Sequence, residues 1–130
     1  MSKPININKP GEEINLKARR FRIYILGGFG VSLGKFSISF KHKKTNYSTK
    51  CEKAFWPVQA YAFGRRARRI FIVDIQKEGQ YEILFKNPET LTVKHSNLPL
   101  VSMMRSPIAH EQLEILITEK LGFYPILTQK

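Results

Sequence analysis

The chain has 130 residues, with 22 Lys and Arg against 10 Asp and Glu and a formal net charge of +12. That length suits one domain, and 42% hydrophobic with 12% aromatic residues supplies a core, which excludes a disordered basic tail. No apolar run reaches the ~18 residues of a spanning helix, and the lone Cys51 cannot close an internal disulfide.

The charge is regional. Residues 1–70 hold 16 of the 22 basic groups and 3 of the 10 acidic ones, a balance of +13, whereas residues 71–130 hold 6 against 7. The excess is densest at 17–22, 41–44 and 65–69. Such a field attracts anionic partners at long range and weakens with salt; the same charge also keeps a small domain soluble. The first eight residues lack the apolar stretch of a secretory signal, which with the single cysteine sets a cytoplasmic, intracellular expectation.

Along the chain the apolar period is mostly two. Lys9-Pro10-Gly11 marks a turn before a weak strand at 12–16. Phe21-Arg22-Ile23-Tyr24-Ile25 alternates, and Phe36, Ile38 and Phe40 alternate with Ser37, Ser39 and Lys41, the pattern of half-buried strands. Residues 41–50 read as a basic hairpin whose tip projects Lys43, Lys44 and Tyr47, and weak strands follow at 47–54 and 58–63. Ile70-Phe71-Ile72-Val73-Asp74-Ile75 is nearly all apolar and reads as a central strand covered on both faces. Turns at 77–80 and 87–89 bracket a strand at 81–86, and weak strands are expected at 90–95 and 98–103. Ser106-Pro107 is a helix start, and 107–118 place Ile108, Leu113, Leu116 and Ile117 on one side of a helix. Leu113-Glu114-Ile115 also alternates, so a strand beginning there is the rival. Residues 123–127 form an apolar tail that docks on the body or pairs subunits into a homo-oligomer.

These elements predict a single mainly β domain over 1–130, an antiparallel β-sandwich with 106–130 as a short C-terminal helix and tail. Residues 71–75 followed by 78–88 look like the strand–turn–strand step of jelly-roll and immunoglobulin-like sandwiches. The order of strands then helix, with a basic early half, also resembles pleckstrin-homology-like barrels, the alternative architecture. Neither resemblance brings functional residues with it.

Catalytic and cofactor signals are sparse. The glycine-rich stretch 27–35 fails the phosphate-loop pattern twice: Phe29 stands where a glycine is required, and Phe36 follows Lys35 where a hydroxyl is required. It also fails the dinucleotide fingerprint at Leu33. A structural loop is expected there, with an anion-binding nest of backbone N–H groups as the alternative. His42, His95, His110 and Cys51 show no ligand spacing, so no metal and no cofactor is predicted. Asp74 is the only aspartate and sits in the most apolar strand; it is either a tuned acid or base, or it turns outward or onto an arginine such as Arg68 or Arg22.

The densest constellation is 54–69, where Phe55, Trp56, Tyr61 and Phe63 precede Arg65, Arg66, Arg68 and Arg69. Arginine offers a planar fork for carboxylate or phosphate and stacks on rings. Phe55 and Phe63 read as core, and in the bland reading Arg65 to Arg69 solvate a loop end. The resulting expectation is a non-catalytic binding module with Arg65, Arg66, Arg68, Arg69, Trp56, Tyr61, Lys41, Lys43, Lys44, Arg19 and Arg20 as candidate binding residues on a shared face. Its expected partner is an acidic protein surface, with nucleic acid or anionic lipid as alternatives.

Overall fold

A computed structural model describes residues 2–28, 30–54, 58–94 and 110–119; the side chains of Tyr61 and His110 are not described. The described chain is mainly β, in antiparallel sheets. The larger sheet contains β1 (Ile5–Asn6), β12 (Glu114–Thr118), β3 (Arg20–Leu26), β9 (Arg65–Asp74) and β7 (Glu52–Lys53) in that order, with β8 (Gln59–Ala62) also paired to β9. The second runs β2 (Glu13–Leu16), β10 (Gly79–Lys86), β5 (Ser37–His42), β6 (Ser48–Lys50). A small third sheet pairs β4 (Gly30–Ser32) with β11 (Thr92–Lys94).

Period-two alternation drives this arrangement. Ile38 and Phe40 of β5, Tyr81 and Ile83 of β10 and Leu16 of β2 share one buried cluster with Phe21, Ile23 and Ile25 of β3, Phe71 and Val73 of β9 and Ile115 and Ile117 of β12. One face of each larger sheet therefore lines a common core. Burying a side chain of this size stabilises by about 1.5–3 kcal/mol. Phe36 joins the two sides, with its ring 5.9 Å from Phe71 and stacked 6.2 Å from Phe85.

Several elements differ from the sequence expectation. The strand predicted at 47–54 is two, because the chain leaves the second sheet after Lys50 and enters the larger one at Glu52. Buried Cys51 stands at the crossing, its N–H bonded to Ile38 O. The strand predicted at 70–75 begins five residues earlier, so Arg65 to Arg69 are strand and not the end of a loop. The helix predicted over 107–118 does not form in the described part: a 3-10 turn at His110–Gln112 leads into β12. The rival period wins because Ile115 and Ile117 face the shared core while Leu116 points the other way, and β12 has ladder partners on both sides, β1 and β3. The strand expected at 98–103 and the tail at 123–127 lie outside the described residues. No helix among the described residues is long and apolar enough to cross a membrane.

The register fixes two ends. At one, β3 begins and β9 finishes, with Arg20 opposite Asp74. The β5–β6 hairpin tip lies at this end, since Lys43 N–H bonds Gln80 O just after the chain has crossed from β9 to β10. At the other end, β8 turns into β9 and Gly27 N–H bonds Arg66 O. The ten residues of β9 separate them by roughly 30 Å, at ~3.3 Å per residue.

Candidate functional site

The three basic segments lie at two ends of the molecule and do not meet in one place. Arg19, Arg20, Lys41, Lys43 and Lys44 gather at the first end, and Arg65, Arg66, Arg68 and Arg69 occupy the second half of the molecule near the β8–β9 turn. This corrects the single-face expectation: sequence proximity to a strand says nothing about which end of it a residue occupies once antiparallel register is set.

Carboxylates occupy much of the first cluster. Arg19 Nη1 donates to both oxygens of Glu119 at 2.9 and 3.0 Å, and Arg20 grips Asp74 through Nε and Nη2 at 2.8 and 3.2 Å. Lys43 Nζ lies 2.8 Å from Glu13. Asp74 is 52% exposed, so the structure turns it outward onto an arginine, as one sequence alternative held, with Arg20 as the partner in place of Arg68 or Arg22. The Arg20 hydrogen bond holds its carboxyl below the usual range. Lys41 lies half-buried on β5 opposite Glu82, and Lys44 is exposed.

Around that end, His42 organises the hairpin tip. It is 3% exposed, and its Nδ1 accepts from the N–H groups of Lys44 at 3.1 Å and Thr45 at 3.3 Å, while Nε2 faces Glu78 O at 3.3 Å. The Tyr81 ring stands edge-on, 5.0 Å away. The tip residues Lys43, Lys44 and Tyr47 project as expected, with Tyr47 66% exposed.

The second cluster is built differently. Ala62 and Arg65 pair directly, and only Phe63 and Gly64 connect them, with φ of 53° and 73°. Both residues in the left-handed region is what a tight two-residue hairpin requires, and glycine, asparagine or aspartate normally supply it. For a bulky L-residue that conformation costs about 1–2 kcal/mol. Phe63 is 40% exposed, which corrects the expectation of a core ring. Beyond the turn, alternation along β9 puts Arg65, Ala67 and Arg69 on one face and Arg66 and Arg68 on the other. On the first face Ala60, Ala62 and Ala67 pack with Tyr24, Leu26 and Leu116 in a second buried cluster.

Arg65 donates to Glu114 at 2.6 Å, and Arg69 lies opposite Tyr24, whose phenol is pushed up by burial against the opposing pull of the guanidinium. All four arginines are half-buried. Trp56 lies outside the described residues, and Tyr61 is placed on β8 opposite Arg66 by its backbone alone.

The glycine-rich stretch serves structure. Lys35 N–H donates to Thr90 Oγ1 at 2.8 Å, Phe36 N–H to Leu33 O and Gly27 N–H to Arg66 O, so these N–H groups do not form an open anion nest. Two clefts among the described residues mix charges of both signs. One of about 500 Å³ follows the N-terminal segment and mixes Lys3 and Lys9 with Glu12, Glu13 and Glu114. Another of about 420 Å³, beside β7, interleaves Arg20, Lys50 and Lys53 with Glu52 and Asp74. Burial pushes the Cys51 thiol far up, so it is held protonated. Comparison with protein-family models, with curated proteins and with solved structures finds no match to this chain.

Proposed function

We propose that the protein is a non-catalytic binding module, an antiparallel β-sandwich whose β8–β9 hairpin engages an acidic surface of a protein partner. The observation that carries this reading is the hairpin itself: four arginines in the five residues Arg65 to Arg69, immediately after a turn that exposes an aromatic ring. A guanidinium fork matches a carboxylate in shape and charge, and arginines around an aromatic are the composition of protein–protein hot spots.

One feature favours a protein over a nucleic acid: the arginines divide between two faces of one strand, which breaks a phosphate track. A nucleic-acid groove instead rewards a continuous positive path.

The test uses defined probes: an all-glutamate dodecapeptide, a single-stranded thymidine oligonucleotide and phosphatidylserine vesicles, each titrated at several salt concentrations. The reading predicts that the peptide binds and that joint reversal of Arg65, Arg66, Arg68 and Arg69 to glutamate abolishes binding in a folded protein. Binding of the oligonucleotide or the vesicles with no binding of the peptide overturns it.

A further inference from the structure

We propose that Phe63 is the anchor of the hairpin site, inserting into an apolar recess of a partner segment whose rim is acidic, while the arginines that follow it meet the rim. This rests on the reading of the hairpin as a site for an acidic protein surface, and it adds what that surface must contain.

Three observations carry it. The first is a conformational cost. Three non-glycine residues of the described chain have positive φ, and two of them, Asn46 and Asn87, are asparagines, the ordinary choice. The third is Phe63, a bulky ring in the same conformation. Asparagine at 63 would close the same turn with less strain.

The second observation is exposure. Phe21, Phe36, Phe40 and Phe71 are buried in the shared core, but Phe63 is 40% exposed at the end of the hairpin. The ring is retained in a strained conformation at a solvent-facing turn, and strain kept at such a position is a mark of a functional contact. The third is placement. Phe63 lies within two or three residues of Arg65 and Arg66, so an apolar contact made by the ring excludes water from around their guanidinium groups and strengthens their pairing with carboxylates. The other exposed ring among the described residues, Tyr47, contrasts with it: there the left-handed turn position is taken by Asn46.

The experiment compares wild type with Phe63→Asn on two peptide probes, the all-glutamate dodecapeptide and the same peptide lengthened by a single leucine inserted at its centre. Wild type is expected to prefer the leucine peptide by about tenfold, the scale of one buried anchor. Phe63→Asn is expected to abolish that preference by weakening the leucine peptide more than the all-glutamate one, and to keep or raise the midpoint of urea unfolding. A preference that survives the substitution overturns the anchor while leaving the acidic-surface reading intact. A lowered unfolding midpoint overturns it as well, because the ring then serves the fold. If neither peptide binds wild type, the parent reading fails first and the anchor with it. If instead thymidine oligonucleotide binding depends on Phe63, the ring stacks on bases and the proposal is wrong about the partner.

Discussion

Arg65 and Glu114 meet across the width of β3: Nη2 donates to Oε1 at 2.6 Å, although the strands that carry them each pair with β3 and not with one another. The two side chains are 37% and 31% exposed, so the pair closes over the apolar cluster of Tyr24, Leu26 and Leu116 while remaining in contact with water. Glu114 thereby competes with any acidic partner for one arginine of the hairpin. Glu114→Gln is expected to raise affinity for the all-glutamate peptide about two- to threefold and to cost at most ~1 kcal/mol of stability, the scale of a partly exposed pair. Calorimetric titration and urea unfolding read the two effects; weaker peptide binding would show that Glu114 positions Arg65 instead of competing for it.

Gly34 and Thr90 lock the glycine-rich loop to the segment after β10. Thr90 Oγ1 accepts from Lys35 N–H at 2.8 Å and donates to Asn87 O at 2.8 Å, and a Cβ at Gly34, where φ is +58°, would lie 2.5 Å from Thr90 O. Thr90→Val keeps the shape and removes the hydroxyl, for an expected loss of about 1–3 kcal/mol. Gly34→Ala should cost more, because it adds a left-handed alanine and a backbone clash. Urea midpoints order the two, and equal midpoints for wild type and Gly34→Ala would contradict the close approach.

His42 receives two backbone N–H groups on Nδ1, so its ring proton belongs on Nε2, aimed at Glu78 O. Long-range nitrogen–proton correlation spectra at neutral pH are expected to show the Nε2–H tautomer. The ring also fills the space that a side chain at Gly79 would need, so Gly79→Ala should displace it and loosen the β5–β6 tip. Unchanged amide exchange at Lys44 and Thr45 in that variant would speak against the role.

Acid dependence follows from two exposed carboxylates. The hydrogen bond from Arg20 lowers the Asp74 pKa, and that from Lys43 lowers the Glu13 pKa. A carboxyl whose folded pKa is depressed contributes stability that is complete above its unfolded value and lost as pH falls through the folded one. Wild type is therefore expected to lose more stability between about pH 5 and pH 2 than the Asp74→Asn, Glu13→Gln double variant. Solvent screening keeps the difference small, and parallel unfolding curves for the two proteins would remove these pairs from the acid response.

Most strands were legible because alternation at β3, β5 and β10 reads directly as one buried and one wet face. What was hidden is what register and turns decide. Arg65 to Arg69 look like a solvated loop, because a run of arginine carries no apolar period; the strand is made by β8 lying alongside, with Ala60, Ala62 and Ala67 buried in the cluster below. Phe63 reads as core because phenylalanine is no signal for a left-handed turn, though Gly64 after it was the available hint. Residues 113–118 satisfy both periods, and only the neighbours β1 and β3 choose between them. The partner of Asp74 follows from the pairing Arg20↔Asp74, which no local pattern contains. Of the candidate binding residues, the arginine run is visible in the sequence, whereas its separation from Lys41, Lys43, Lys44, Arg19 and Arg20 follows only from the strand register.

The most direct measurement is a titration of the leucine-centred glutamate peptide into isotope-labelled protein, followed by amide chemical shifts. The account predicts that the largest shifts fall on residues 62–69, with smaller ones at Gly27 and Glu114 beside them. Shifts concentrated at the β5–β6 tip, residues 43–47, or along the N-terminal cleft from Lys3 to Ile14, with the β8–β9 hairpin unmoved, would contradict it.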